Sequence, residues 1–277
     1  MKTIDDRAER DEPRAPRPAL WIARLLLKLV GLALLAILTL PLWPLYGLGT
    51  LAWGRPPNVP RAAQVGRYLR LAWRVNPPPP GLSFRARCWI TAKIVQKALL
   101  APLLGLAWLL DELLYGRALD ATPVDAPLFV VSAGRSGSTQ IALYLEQDPD
   151  LAAPNLLQSM FPYRWLWRLA PRTLGRLITP DQVRLRLRAM MPPALLERHE
   201  GDPFKLDTFE GSFYSFHMNA LAFALGPEVA AEDFGFGTIA PHNRRLWEED
   251  FLAVVDRVAR KTLLEAGNLL LLDEPSN

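Results

Sequence analysis

The stretch "LVGLALLAILTLPLWPLYGLGTLAWG", Leu29 to Gly54, contains no charged residue. A helix needs about 20 consecutive apolar residues to cross the hydrocarbon core of a bilayer. Aromatic residues of the kind found at membrane interfaces lie before and within the stretch: Trp21, Trp43, Tyr46 and Trp53. The pattern predicts a membrane segment around Leu20–Leu42.

Two other interpretations of this segment are a buried core helix and a secretory signal peptide. Core helices seldom run this long without a charge, and a leader of about twenty residues is long for a signal peptide. Pro41 and Pro44 can kink the helix or end it. A full membrane span and a re-entrant or monotopic anchor therefore both stay open.

Charge is divided unequally along the 277 residues. From Pro13 to Leu110 there are 13 basic residues and no Asp or Glu. From Asp111 onward there are 16 basic and 23 acidic residues. The basic residues flank apolar runs and do not alternate with aromatics on a polar surface, which argues against a nucleic-acid partner. Nine of them, from Arg55 to Lys97, predict contact with anionic lipid headgroups on the cytoplasmic side of a membrane.

A second apolar stretch, Ala98–Leu110, lies between Lys97 and Asp111. Its thirteen residues are too few for an ordinary span and predict an interfacial or core helix. A single cysteine, Cys88, excludes an internal disulfide, and three histidines without a helical pair make a metal site improbable.

The stretch "FVVSAGRSGSTQIALYLEQDPDL", Phe129 to Leu151, predicts a buried strand, a loop of small residues and a helix from about Ser138 to Gln147. Free backbone N–H groups and a positive helix end would meet at this loop, which is an arrangement that binds anions. The candidate residues for binding a phosphate or sulfate are Gly134, Arg135, Ser136, Gly137, Ser138 and Thr139. No lysine follows Gly137, so the loop is not a Walker A motif. An ordinary turn before a helix is the alternative.

These residues resemble the 5′-phosphosulfate loop of sulfotransferases that use 3′-phosphoadenosine 5′-phosphosulfate (PAPS), in particular the bacterial branch with an R-S-G-T-T-type loop. The resemblance implies an α/β fold, a P-loop-like parallel sheet with a helical insertion, and PAPS as donor without a metal. Arg135 stands where the family has a Lys or Arg that contacts the bridging oxygen and the sulfonate. Ser132, Gly134 and Ser138 depart mildly from the family pattern.

Sulfonate transfer needs a general base to accept the proton of the acceptor hydroxyl. The segment "GPEVAAEDFGF", Gly226 to Phe236, is similar to an acidic segment of the family, and by that similarity Glu232 is the first candidate. His217 and Glu210 lie in an aromatic-rich segment that suits an acceptor pocket and are the other candidates. The acceptor is expected to be a hydroxyl-bearing small molecule, with a lipid or a glycan suggested by the membrane tether.

The last residues, "NLLLLDEPSN", are similar to a strand and turn after which relatives supply the 3′-phosphate site. Asp273 and Glu274 stand where the relatives have Lys and Ser. We therefore expect a C-terminally truncated member of the family. The alternatives are a catalytically inactive or fragmentary anion-binding membrane protein and another P-loop-like transferase.

The predicted organisation has four parts. Residues 1–18 form a disordered leader, 19–54 a membrane anchor, 55–118 a basic membrane-proximal helical region, and 121–277 the incomplete sulfotransferase-like domain. Between Leu156 and Gly226 the sequence predicts helices broken at prolines.

Overall fold

A computed structural model describes residues 18–74, 82–125, 127–128, 138–173, 175, 178–190, 204, 225 and 246–266. It is 77% helical and has neither strand nor sheet in this part of the chain. The predicted α/β class with a parallel sheet is therefore wrong for the described protein. The expectation depended on one short apolar run, Phe129–Val131, and short apolar runs do not distinguish a strand from a buried helix. That run itself lies outside the described residues.

The first apolar stretch forms two consecutive helices, α1 (Pro18–Thr39) and α2 (Leu42–Trp53). Pro41 precedes α2 as its N-cap, so the helix break predicted at Pro41 is confirmed, whereas Pro44 lies in the first turn of α2 and does not end a helix. Gly54 ends α2 with a φ of 80°, a conformation that glycine adopts without steric cost. Residues Leu20–Thr39 are long and apolar enough to cross a membrane, and only 6% of this window is buried.

A long helix, α4 (Phe84–Asp120), is the central element of the described fold. The hydroxyl of Ser83 caps its N-terminus by accepting from the backbone N–H of Ala86. The sequence predicted a separate short helix over Ala98–Leu110. In the structure this stretch is instead the middle of the 37-residue helix α4. By length and composition α4 also passes as a membrane span, although 33% of its apolar window is buried.

Helix α3 (Ala62–Trp73) packs on the N-terminal half of α4. Tyr68 and Ala72 of α3 form a buried cluster with Ile90 and Ile94 of α4. Arg87 of α4 then donates hydrogen bonds to three backbone carbonyls, those of Leu82, Ala72 and Arg74. This arginine therefore closes the α3–α4 corner rather than facing a lipid.

The C-terminal half of α4 contacts elements from the second half of the chain. These elements are α7 (Arg164–Thr173), which follows the short helix α6 (Leu156–Met160), and α9 (Leu252–Ala266), which follows a π-helical segment (Leu246–Phe251). Trp108 of α4 packs with Tyr163, Val254 and Val258 in a second buried cluster. The protein thus has two cores, one at each half of α4.

Two further helices are described, α5 (Ser138–Leu145) and α8 (Pro180–Met190). The segment Val183–Arg188, in which apolar and basic residues alternate, is part of α8. Pro180 is the first residue of α8, as expected for a residue without a backbone N–H. Pro171 lies inside α7 and does not break it, contrary to expectation.

Candidate functional site

Most of the predicted anion loop lies outside the described residues. Gly134, Arg135, Ser136 and Gly137 fall in that part of the chain, so their arrangement stays a prediction. The helix that follows the loop is described, and it begins at Ser138, the residue at which the sequence predicts it. Thr139 is its second residue. The predicted helix is therefore confirmed, and it ends at Leu145, two residues before the predicted end at Gln147.

The three candidate bases, Glu210, His217 and Glu232, also lie outside the described residues. The structure brings none of them into a described contact with the loop, and their roles stay predictions. Within the described ranges, no group of three or more His, Cys, Asp or Glu side chains is placed to hold a metal ion.

The described polar centre is a buried ion pair between α4 and α9. The carboxylate of Asp111 lies 2.8 Å from the ammonium of Lys261, and both side chains are completely buried. The ammonium also donates to the carbonyl of Pro162 at 2.8 Å and lies 3.9 Å from the centre of the Trp108 ring. Burial lowers the pKa of Lys261 from its ordinary value, and the charge of Asp111 opposes that shift.

Asp111 has a second role at the start of α7. Its two carboxylate oxygens accept from the backbone N–H groups of Arg164 and Trp165, at 2.7 and 2.9 Å. These N–H groups belong to the first turn of α7 and have no partner inside that helix. A carboxylate from α4 therefore caps α7 across 53 residues of sequence and complements the positive end of the helix.

A second buried pair extends the same centre. The guanidinium of Arg164 forms an ion pair with Glu265 of α9 and lies 4.4 Å from the centre of the Tyr115 ring. Both charged side chains are almost inaccessible to solvent, with 6% and 11% of their surfaces exposed. We call Asp111, Arg164, Lys261 and Glu265 the ionic core.

Asp250, in the π-helical segment, joins the two oppositely charged halves of the sequence. Its carboxylate is 3% exposed and pairs with Arg55 and with Arg61, whose Nη2 lies 2.8 Å from it. Hydrogen bonds from Arg61 to Asp250 and to Glu249 raise the pKa of this arginine further. Arg55 and Arg61 were predicted to contact lipid headgroups, and in the structure both bind carboxylates of the same chain instead.

Neutral hydrogen bonds link these two centres. Asn58 donates from Nδ2 to the hydroxyl of Tyr163 at 3.1 Å and also approaches the carbonyl of Leu104. Burial raises the pKa of Tyr163 well above its ordinary value, which keeps the phenol neutral. Among the described residues the arrangement neutralises charge between helices, while Asn58 Oδ1 and Arg164 Nε are buried without a hydrogen-bond partner.

Sequence reasoning missed every member of the ionic core. Asp111 was noted only as the end of an apolar stretch. The available signal was its position, because a carboxylate that directly follows thirteen apolar residues requires a partner if the stretch is buried. The partner, Lys261, lies 150 residues further along the sequence, so no local sequence pattern around Asp111 identifies it.

No known protein family, curated protein or solved structure matches this chain.

Proposed function

We propose that this chain is a membrane-anchored sulfotransferase that moves a sulfonate group from PAPS to a hydroxyl acceptor. Its sequence loop Gly134–Thr139, with Arg135 as the cation, is the proposed donor site. The observation that carries the proposal is the start of α5 at Ser138, directly after that loop. A helix start supplies unpaired N–H groups and a positive dipole end toward the sulfonate donor.

The proposed anchor is α1 with α2. In α1 the large apolar side chains are exposed, among them Leu27 at 74%, Ile37 at 70% and Leu38 at 69%. A core helix of a soluble protein would bury such side chains, because exposed apolar patches of this extent mark interaction surfaces. α1 also packs along α4, which supports a retained helix rather than a cleaved signal peptide. By the positive-inside rule we place the basic region on the cytoplasmic side.

The proposed reaction is an in-line displacement at sulfur. The acceptor hydroxyl oxygen forms the new S–O bond while the bond from sulfur to the bridging oxygen of PAPS breaks, and 3′-phosphoadenosine 5′-phosphate leaves. The hydroxyl proton passes to the general base, for which Glu232, His217 and Glu210 are the candidates. Arg135 stabilises the negative charge that develops on the bridging oxygen. The acceptor class we favour is a lipid or glycan hydroxyl, because the site is tethered at the bilayer.

A second candidate function is anion binding without turnover. The absence of any strand from the described residues favours it, since the resembling family builds its donor site on a parallel sheet. Asp273 and Glu274 also favour it, because two carboxylates repel a cofactor phosphate. In this case the loop binds a phosphate or sulfate group, and no group transfer follows.

The test is a calorimetric titration of 3′-phosphoadenosine 5′-phosphate into the full chain in neutral detergent. The proposal predicts micromolar binding that Arg135→Ala abolishes and Arg135→Lys partly retains. Arg186→Ala is the matched control, because Arg186 is an exposed arginine of α8 and carries the same charge. Binding unchanged by Arg135→Ala would contradict the donor site.

Turnover separates the two candidates. Protein that binds the nucleotide is incubated with PAPS labelled on sulfur and with membrane lipid extract or glycan acceptors. Labelled product that depends on Arg135 supports the transferase. Arg135-dependent binding of inorganic sulfate and of the nucleotide alike, with no labelled product, supports the non-catalytic function.

A further inference from the structure

Cations and tryptophans from α1 and α4 interleave at one seam of the structure. The ammonium groups of Lys28 and Lys93 lie 5.6 and 5.7 Å from the centre of the same Trp89 ring. One turn away, the guanidinium of Arg85 lies 5.3 Å from the centre of the Trp21 ring. We call these five residues the α1–α4 seam.

The spacing of the residues explains why they meet. Arg85, Trp89 and Lys93 recur every four residues along α4 and therefore lie on one face of that helix. Trp21 and Lys28 are seven residues apart and share a face of α1. Because Trp21 contacts Phe84 at the start of α4 and Lys28 contacts Trp89 in its second turn, the two helices run in the same direction.

The seam contains positive charge without a carboxylate. Neither α1 nor the segment of α4 up to Leu110 carries an Asp or Glu. In the described part of the chain, Lys28, Arg85 and Lys93 contact indole rings and form no ion pair. Elsewhere in the described protein, Arg61, Arg164 and Arg257 have carboxylate partners from the same chain. Because no described carboxylate neutralises the seam, its composition suits an anion from outside the chain.

The position of the seam indicates where that anion comes from. Beyond Lys28 the next 26 residues, to Gly54, carry no charge, and beyond Lys97 the next 13 residues of α4 carry none. Because the helices are parallel, the seam lies at one edge of a shared apolar zone. Tryptophans with basic side chains at the edge of an apolar zone are typical of the level of lipid phosphates.

We propose that the α1–α4 seam binds the phosphate of an anionic phospholipid headgroup, with Lys28 and Lys93 as its charge partners and Trp89 beside its glycerol region. A headgroup without a cation of its own complements the seam, whereas a zwitterionic headgroup adds a further positive charge. The site rests on the membrane attachment in the proposed function. It involves none of the residues of the proposed donor loop.

The experiment measures binding of phosphatidylglycerol against phosphatidylcholine, mixed in equal amounts, to the full chain by native mass spectrometry from neutral detergent. We expect a preference for phosphatidylglycerol that falls about fivefold for Lys28→Gln or Lys93→Gln and about thirtyfold for the double variant, since each basic residue near a charged headgroup contributes about 1 kcal/mol. The variant with Lys28→Arg and Lys93→Arg retains the charges and is expected to retain the preference.

Arg117→Gln is the matched control, because Arg117 is an exposed cation near the other end of α4. It should change the preference by less than about twofold, since its charge is far from the seam and screened by solvent. An equal loss in Arg117→Gln would overturn the proposal in favour of unspecific attraction. Wild-type protein without a preference for phosphatidylglycerol would overturn it as well.

Two further experiments distinguish a failure of membrane attachment from a failure of the proposed lipid site. Flotation with vesicles of pure phosphatidylcholine tests membrane attachment alone, so protein that floats without lipid preference contradicts the seam and leaves the anchor intact. Inorganic phosphate at millimolar concentration tests the free anion. Binding of inorganic phosphate that requires Lys28 and Lys93, combined with equal affinity for both lipids, would overturn the lipid site.

Discussion

The two halves of α4 differ in how nearby positive charges are neutralised. In the C-terminal half, Asp111 neutralises Lys261, and Glu112 pairs with Arg257 of α9 at 2.9 Å. In the N-terminal half, Lys93 contacts only an indole among the described residues. A cation that is paired inside the chain belongs to a protein core, whereas one that lies beside tryptophan at the edge of an apolar zone belongs to an interface.

The ionic core gives the largest expected effect. Asp111→Ala removes the partner of a completely buried ammonium and the cap of α7 together, and should cost about 4 kcal/mol in the free energy of unfolding. Lys261→Met should cost less, because Asp111 keeps two backbone donors. Denaturant unfolding in neutral detergent, followed by circular dichroism, measures both.

Asp120→Ala is the control for the ionic core. Asp120 also pairs with an arginine from α9, but its side chain is 69% exposed, so the loss should stay below about 1 kcal/mol. Equal losses for Asp111→Ala and Asp120→Ala would show that burial does not determine the value of these pairs.

The bridge at Asp250 is expected to come next. Asp250→Asn weakens the charged contacts with Arg55 and Arg61, both about one-third exposed, and should cost about 2 kcal/mol, the usual value for hydrogen bonds to a charged group. Glu249→Gln, at a 56% exposed carboxylate of the same segment, should change stability by less than about 1 kcal/mol. Thermal unfolding in detergent compares the two variants, and a reversed order would contradict the bridge.

Substitutions at the close contact between α2 and α4 are expected to lower the free energy of unfolding by a smaller amount. A methyl group at Gly105 would overlap the ring of Tyr46, so Gly105→Ala should destabilise the protein by about 1–2 kcal/mol. Tyr46→Ala removes the obstacle, and in that background the same substitution should cost nothing. Gly116→Ala is the control, since the nearest atom would be 3.7 Å away, and should stabilise the helix slightly. Additive losses in the double variant would contradict the contact.

The smallest expected effect is a pH dependence from Tyr163. Burial raises the pKa of this phenol in the folded state, so above pH ~10 the unfolded chain releases a proton that the folded chain keeps. Its contribution to stability is complete below that pH and declines as the pH rises further. The stability difference between wild type and Tyr163→Phe should therefore shrink between pH 9 and 11. A difference that grows over this range would contradict a buried neutral phenol.

Local pattern predicted the elements whose cause is local. The long apolar run from Leu29 predicted α1, Pro41 predicted its end, and the change from small residues to Ile141 and Leu145 predicted the start of α5. Residues with distant partners were not predictable in this way. Arg55 was assigned to lipid because its partner Asp250 lies 195 residues further along the chain.

The fold class shows the same limit. A three-residue apolar run and a resemblance of one loop predicted a sheet, whereas the described chain is helical wherever its extended apolar segments occur. Leu- and Ala-rich segments favour helix intrinsically, and that preference was visible in α4 from composition. The length of α4 was not predictable, because the charged residues Lys97 and Asp111 mark the limits of the apolar stretch, whereas α4 continues past both.

The most direct test of the contrast between a lipid-facing and a water-facing surface is spin-label accessibility in nanodiscs. Single labels are placed at Leu34 of α1, whose side chain is 62% exposed, and at Arg117 of α4, with Cys88 replaced by Ser. Membrane insertion of α1 predicts that the label at Leu34 collides with dissolved oxygen and not with a water-soluble nickel chelate, and that the label at Arg117 shows the reverse. Equal access of the nickel chelate to both labels would contradict membrane insertion of α1.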